Sequence, residues 1–386
     1  MNGINNMKYY LRCVKCGATT NNPETKPCHH NSYYDYLEAI FHYDQIKEFP
    51  VKNKIGLEKY LPLLPIKEIK ISLGEGATPL FKLNNYPEKI GLKDHQIYVK
   101  NEAQNPTGCF KDLESMVIIN KALEDGQKKL FVVSSGNAAS SSAAYANKAG
   151  LKCTCIVLKK THQIKKEALT AFGGELIEHT GSYEDAYRHF SNHPLPGYWD
   201  ITPGKNPLRV EGNKIIAFEI WEQLSVPDKI IVPVGNGSLL AGIWKGFVEL
   251  KKIGKIKKLP QLVAVQVKNA APLKKALETN QDFVILENIP DSIAEGIAAT
   301  ESYCSPKATL AIKESRGEVI EVTDSEIKKA MIDIMKTESL EPEPTSAAVY
   351  AAIPKMKIDK SQKIVCIQTG NGQRNIAYLA KILNQK

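Results

Sequence analysis

The stretch KIIVPVGNGSLLAGIWKGF, residues 229–247, decides how this chain folds. KIIVPV is a short, β-branched apolar run of the kind that forms a buried strand, and GNGSLLAG (Gly235–Gly242) sits directly between that strand and a helix. Glycines at such a turn let backbone amides approach an anion at the positive helix end, so a phosphate is the expected guest. A tight strand-to-helix turn with no ligand is the alternative. Two familiar phosphate motifs fail in detail. A Walker loop needs Lys and Ser/Thr after Gly242, where Ile243 and Trp244 stand, and a dinucleotide fingerprint needs Gly at Leu240. It also needs an acid closing the next strand, LVAVQV, which has none.

The same alternation of strand and helix runs outward in both directions, from about Leu73 to the end. LFVVSS (130–135) reads as a strand and AASSSAAYANKA (138–149) as a helix ending at Gly150. CTCIVL, ELIEHTG and KIVCIQ read as strands. HQIKKEALTAFGG, NKIIAFEIWEQL, SEIKKAMIDIMKTES and PTSAAVYAAI read as helices, with a closing helix after Gly372. This is the βαβ signature of an α/β protein. Two open α/β lobes with a cleft between them are expected, since clefts between lobes bind ligands.

Composition sets the outer bounds. At 386 residues, with roughly 150 per domain as a guide, two or three domains are expected. Hydrophobic content of 43% beside 24% charged residues excludes a disordered chain. No apolar run approaches the roughly 18 residues of a membrane helix, and MNGINNMKYYLRC lacks the apolar stretch of a secretory signal, so a cytoplasmic protein is expected. The net charge of +9 raises the question of nucleic acid, yet only five basic residues are arginine: Arg12, Arg188, Arg209, Arg316 and Arg374. Lysines scattered in pairs such as Lys251-Lys252 and Lys257-Lys258 solvate a surface rather than read bases. A small anionic substrate suits the sign of the charge; neither nucleic acid nor membrane is expected, and a homo-oligomer is compatible.

Two more polar loops follow strands. SSGNAAS (Ser134–Ser140) offers hydroxyls and an amide at a helix start, and TGNG (Thr369–Gly372) follows the last strand. Alone, each reads as plain capping. Together with Gly235–Gly242 they converge on one crevice in an open α/β sheet, which favours a phosphorylated cofactor. A fourth segment, NEAQNPTGCFKDLESM, puts Lys111 just after an Asn-Pro-Thr-Gly turn at a helix start. A partly desolvated lysine there would have the lowered pKa that a Schiff-base nucleophile requires, and a solvated surface charge is the alternative that position alone favours.

NPTGCFKD (105–112) resembles the lysine segment of fold-type II pyridoxal-phosphate enzymes, the tryptophan synthase β-like group, and within it the threonine synthase family. LGEGATPL, NPTGCFKD, SSGNAASSSAAYANKAG, NPLRVEGNKIIAFEI, VPVGNGSLLAGIWKGF and TGNG occur in family order. The resemblance implies pyridoxal 5'-phosphate bound to catalytic Lys111, with Asn137 on its 3-hydroxyl. It further implies Gly235, Asn236, Gly237, Ser238 and Leu239 around its phosphate, and Thr369 at its pyridine nitrogen. Arg209, with Ser134 and Ser135, would bind the substrate, O-phospho-L-homoserine in the family; an ion pair of Arg209 with Glu211 is the structural alternative. The family's Asp-Arg-Gly after the lysine is here Asp112-Leu113-Glu114, and Ala138 stands where a threonine is usual. Glu114 resembles cysteate synthase, which replaces the phosphate of O-phospho-L-serine with sulfite. The leading expectation is a threonine synthase-like carbon–oxygen lyase, with the cysteate synthase-like reaction as alternative and a non-catalytic ribbon module as a distant third.

The first 45 residues differ from the rest and read as a zinc-ribbon-like segment. Cys13 and Cys16 form one C-x-x-C knuckle before Gly17, while Cys28 has Asn31, not cysteine, three residues on. His30 or His29 would supply the fourth ligand of a structural zinc, and a degenerate metal-free ribbon is the alternative. The core is expected over 46–386, with a small lobe at about 105–200 and a large lobe of 73–104 plus 201–386.

Overall fold

The computed structural model describes residues 8–25 and 27–372. The closing helix expected after Gly372 lies outside the described residues. The chain divides into two compact units: residues up to Gly76 with Lys111–Ile215, and Ala77–Phe110 with Ile216 onward. The ribbon segment and residues 201–215, expected apart from the smaller lobe, are counted in the first unit.

The first unit holds two sheets. A parallel one runs in the order Glu175–His179, Lys152–Leu158, Lys129–Val133, Trp199–Asp200. Its register sets Val133 beside Ile156, and both join Phe131, Ala186 and Phe190 in a core cluster. Burying side chains of this size contributes about 1.5–3 kcal/mol each, which is why the apolar faces of these strands turn inward. The alanine- and serine-rich helix Asn137–Lys148 packs on helix Lys111–Glu124. Small residues allow close approach there, and Ser141 bridges the pair, its hydroxyl donating to Asp112 (2.6 Å) and lying 2.8 Å from that of Ser115. The other sheet is antiparallel, in the order Thr19–Thr20, Tyr9–Cys13, Leu37–Phe41, and forms the ribbon.

The second unit is built on a six-stranded sheet in the order Glu318–Val322, Gln261–Val267, Lys229–Pro233, Lys363–Gln368, Gln96–Asn101, Leu80–Lys82. All pairings are parallel except that of the last strand. Strands such as KIIVP are buried along their whole length, the mark of a parallel sheet covered on both faces. Helices Ser238–Lys252 and Pro344–Ala352 pack on the sheet. Ile231, Val263, Val265 and Ile364 share one core cluster with Ala347, Val349 and Tyr350 of the latter helix. No described helix is long and apolar enough to cross a membrane.

Candidate active site

Lys111 is the first residue of helix Lys111–Glu124 and keeps 13% of its side chain exposed. One turn on, at the i+3 spacing that brings side chains together on a helix, Glu114 is fully buried. Both Glu114 oxygens accept from Lys111 Nζ, at 2.9 and 3.0 Å. Arg209 Nε donates to Glu114 Oε2 (3.2 Å) and Asn213 Nδ2 donates to Oε1 (2.9 Å). Burial pushes the Glu114 carboxyl up, but Lys111 and Arg209 with their hydrogen bonds outweigh it and hold it below the usual carboxylate range. The group is a buried carboxylate shared by two cations.

Arg209 itself is buried, at the end of the short 3-10 turn Pro207–Arg209 that leads into helix Val210–Leu224. Its Nη1 donates to Ser142 Oγ (3.0 Å) and the Ile201 carbonyl (2.9 Å), while Nη2 has no partner among the described residues. The alternative ion pair with Glu211 is not the one formed: Glu211 pairs with Lys214 at 2.7 Å. Leaving one guanidinium N–H pair without a partner costs stability unless an acceptor comes to it.

Ser134, Ser135 and Asn137 lie, half-buried, where strand Lys129–Val133 gives way to helix Asn137–Lys148. Gly136 is that helix's N-cap and no side chain caps it; Ser134 Oγ instead accepts from the Gly136 amide (3.2 Å). The hydroxyls therefore do not cap, which was the plain reading of this corner.

In the second unit the Gly235–Leu239 turn also leads from a strand into a helix. Gly237 is the N-cap of helix Ser238–Lys252 in the left-handed region (φ 89°), and again no side chain caps the helix. A Cβ on Gly235 would run into the Gly296 carbonyl oxygen, and one on Gly237 would press on Ala308. The turn is backed by Ser302, which donates to the Gly235 carbonyl (2.5 Å), and by the Cys304 amide, which donates to the Asn236 carbonyl (2.8 Å). Ser305, next in sequence, has a buried hydroxyl without a hydrogen-bond partner among the described residues.

The structure brings two of the sequence motifs together directly. Residues 108–110 run antiparallel to 369–371: the Phe110 amide donates to the Thr369 carbonyl (3.0 Å) and the Asn371 amide to that of Gly108 (3.0 Å). The Asn105 turn before them is held by Glu102, whose carbonyl and carboxylate accept from Asn105 Nδ2 at 2.9 and 2.8 Å. Thr369 is buried, with its hydroxyl 2.8 Å from that of Ser346, and Glu343 packs against Gly370. Taken unit by unit, the paired but accessible lysine of the first has the chemistry to hold an aldehyde, and the uncapped helix end behind a glycine cradle in the second has the chemistry to hold a phosphate.

Sequence reasoning did not find Asn213, Ser142 or Ser346. Asn213 lies within NPLRVEGNK, four residues after Arg209, a spacing that puts it on the same helix face. Ser142 and Ser346 carried no local signal. The four ribbon residues singled out for a metal, Cys13, Cys16, Cys28 and His30, are brought together, each with a ligand atom within 4.8 Å of the others.

The pyridoxal-phosphate dependent enzyme family matches residues 71–370. Threonine synthase of Methanocaldococcus jannaschii is 36% identical, covering 94% of this chain and 92% of its own. That of Methanosarcina acetivorans is 34% identical, covering 94% and 91%. Among solved structures, maize serine racemase superposes with a TM-score of 0.67 at 21% identity, over 79% of this chain and 90% of its own, a likeness of fold alone. On these matches and the α/β fold they share, the chain belongs to the threonine synthase family of fold-type II pyridoxal-phosphate dependent enzymes.

Proposed function

We propose that the enzyme converts O-phospho-L-homoserine and water to L-threonine and phosphate. The observation that carries this reading is the Lys111–Glu114–Arg209 group: a buried arginine with a free Nη2 is held one carboxylate away from the cofactor lysine. A guanidinium is the side chain best matched to a phosphate monoester, and here it is fixed before the substrate arrives. The similarity to threonine synthases over nearly the whole chain supports the same substrate.

In this reading Lys111 holds the cofactor, Asn137 meets its 3-hydroxyl, Gly235–Leu239 take its phosphate and Thr369 faces its ring nitrogen. The cofactor, when bound, supplies the electron sink that makes the substrate Cα–H acidic. The Lys111 amine takes the Cα proton and then serves at Cβ, and Glu114 keeps the amine aimed by its two hydrogen bonds. Arg209, with Ser134 and Ser135, anchors the substrate phosphate until the Cγ–O bond breaks and phosphate leaves with the bonding pair. Water then adds at Cβ and its hydroxyl stays there; of the three protons released, one each from Cα, Cβ and the water, one goes to Cγ to complete the methyl group, one returns to Cα and one leaves on the phosphate, with Lys111 as the carrier.

Glu114 also supports a second reading. It spends part of Arg209's charge, and it stands where the family carries a glycine after an arginine, as in cysteate synthase-like enzymes that exchange the phosphate of O-phospho-L-serine for sulfite. Phosphate release from O-phospho-L-homoserine in water, measured beside release from O-phospho-L-serine with sulfite, separates the two. Turnover of the second pair alone would reject the proposed reaction.

A further inference from the structure

The ribbon is anchored against the loop that carries Arg209, and it contains four soft donors at ligand spacing. Cys13 is buried, Cys16 exposed, Cys28 and His30 half-buried. Their ligand atoms lie within 4.8 Å of one another, close to the about 3.8 Å between ligands of a tetrahedral zinc with bonds of about 2.3 Å. The knuckle is already folded: the Gly17 amide donates to the Cys13 carbonyl (3.0 Å) and the Cys13 amide to that of Ala18 (2.8 Å). His30 Nε2 is buried with no hydrogen-bond partner among the described residues, and its ring lies tilted with its centre 4.8 Å from that of Tyr36. Three sulfurs and an imidazole in a closed set select zinc over harder cations.

We infer that Cys13, Cys16, Cys28 and His30 bind one structural zinc ion, and that this ion holds in place the wall behind the Arg209 loop. From His30 the chain passes directly to that wall. The Tyr187 hydroxyl is shared between the Tyr33 and Gly204 carbonyls, at 3.0 and 2.9 Å, tying the ribbon to the 202–206 loop. Asn192 donates to the Tyr33 hydroxyl (2.8 Å), and the Tyr36 carbonyl accepts from Val14 (2.9 Å) beside the first knuckle. The strand Leu37–Phe41 then packs on Pro207–Arg209, with Lys214 Nζ 4.2 Å from the centre of the Phe41 ring. Without the ion, Cys28 and His30 lose their coordinate tie to Cys13 and Cys16, at the end from which residues 31–36 run to the 202–206 loop. The kinetic consequence, weaker capture of the phosphorylated substrate, rests on the role proposed above for Arg209; the metal site and its mechanical link do not.

The test uses the holoenzyme. Purified without added metal or chelator under reducing conditions, it is expected to carry one zinc per chain by elemental analysis. Stripping with a chelator should speed amide hydrogen exchange in 202–209 by about tenfold while strand Lys152–Leu158 stays protected, and Zn²⁺ should restore the slow rate. His30→Ala should reach the same state at lower chelator concentration. A folded protein that contains no zinc and takes up none when offered Zn²⁺ would overturn the site. A zinc protein whose 202–209 exchange is unmoved by stripping and by His30→Ala would overturn the link. Lost zinc should also raise KM for O-phospho-L-homoserine with kcat and cofactor absorbance unchanged. If that substrate is not used at all, the proposed function fails while the zinc and exchange results stand.

Discussion

Glu114 is a buried carboxylate whose charge is met by Lys111, Arg209 and Asn213. Its folded pKa lies below the ordinary 4.5, so it adds stability above that value and loses it as pH falls through the folded pKa. Glu114→Gln should therefore flatten the acid limb of a melting-temperature profile, most visibly below pH 4.5. A profile that keeps its full acid limb would place the titration elsewhere. Arg209→Ala should weaken capture of the phosphorylated substrate by about 2–4 kcal/mol, read as a rise in KM with cofactor absorbance retained. It should also lower stability, since Glu114 loses one of its two cations. The spacing of Lys111 and Glu114 is legible in the sequence. That Arg209, 95 residues from Glu114, closes the group is not, because helix periodicity says nothing of partners from another element.

At the scale of elements, the strand-to-helix turns were readable because glycine and polar residues interrupt apolar runs at just those points. Gly237 shows why: φ of 89° and the nearby Ala308 leave little room for a side chain. Gly237→Ala should cost about 1–2 kcal/mol, seen as a lower melting temperature and faster loss of cofactor absorbance on dialysis. An unchanged variant would mean that the turn relaxes without consequence. Other elements were harder to see. Helix Tyr183–Asn192 begins at a full capping box of Ser182 and Asp185, a local signal that SYEDAYRHF carries and that the apolar pattern alone does not reveal. Strand Gln96–Asn101 enters the sheet by pairing on one side with Lys363–Gln368, a partner more than 250 residues away that no local pattern predicts.

For the whole molecule, the α/β class and the family were legible from ordered motifs, while the extent of the two units was not. Their boundaries are set by which segments pack together, and residues 201–215 pack with the unit that holds Lys111. A cofactor that binds the folded chain stabilises it by mass action, about 2.7 kcal/mol at a hundredfold excess over Kd. Pyridoxal phosphate should thus raise the melting temperature of the native enzyme, and Lys111→Ala should lose both the near-visible band and borohydride trapping at this position. The central claim is the reaction itself. Purified holoenzyme given O-phospho-L-homoserine in water should release inorganic phosphate and L-threonine in equal amounts, and O-phospho-L-serine with sulfite should release phosphate far more slowly. Phosphate release from O-phospho-L-serine with sulfite alone, and no threonine from O-phospho-L-homoserine, would contradict it.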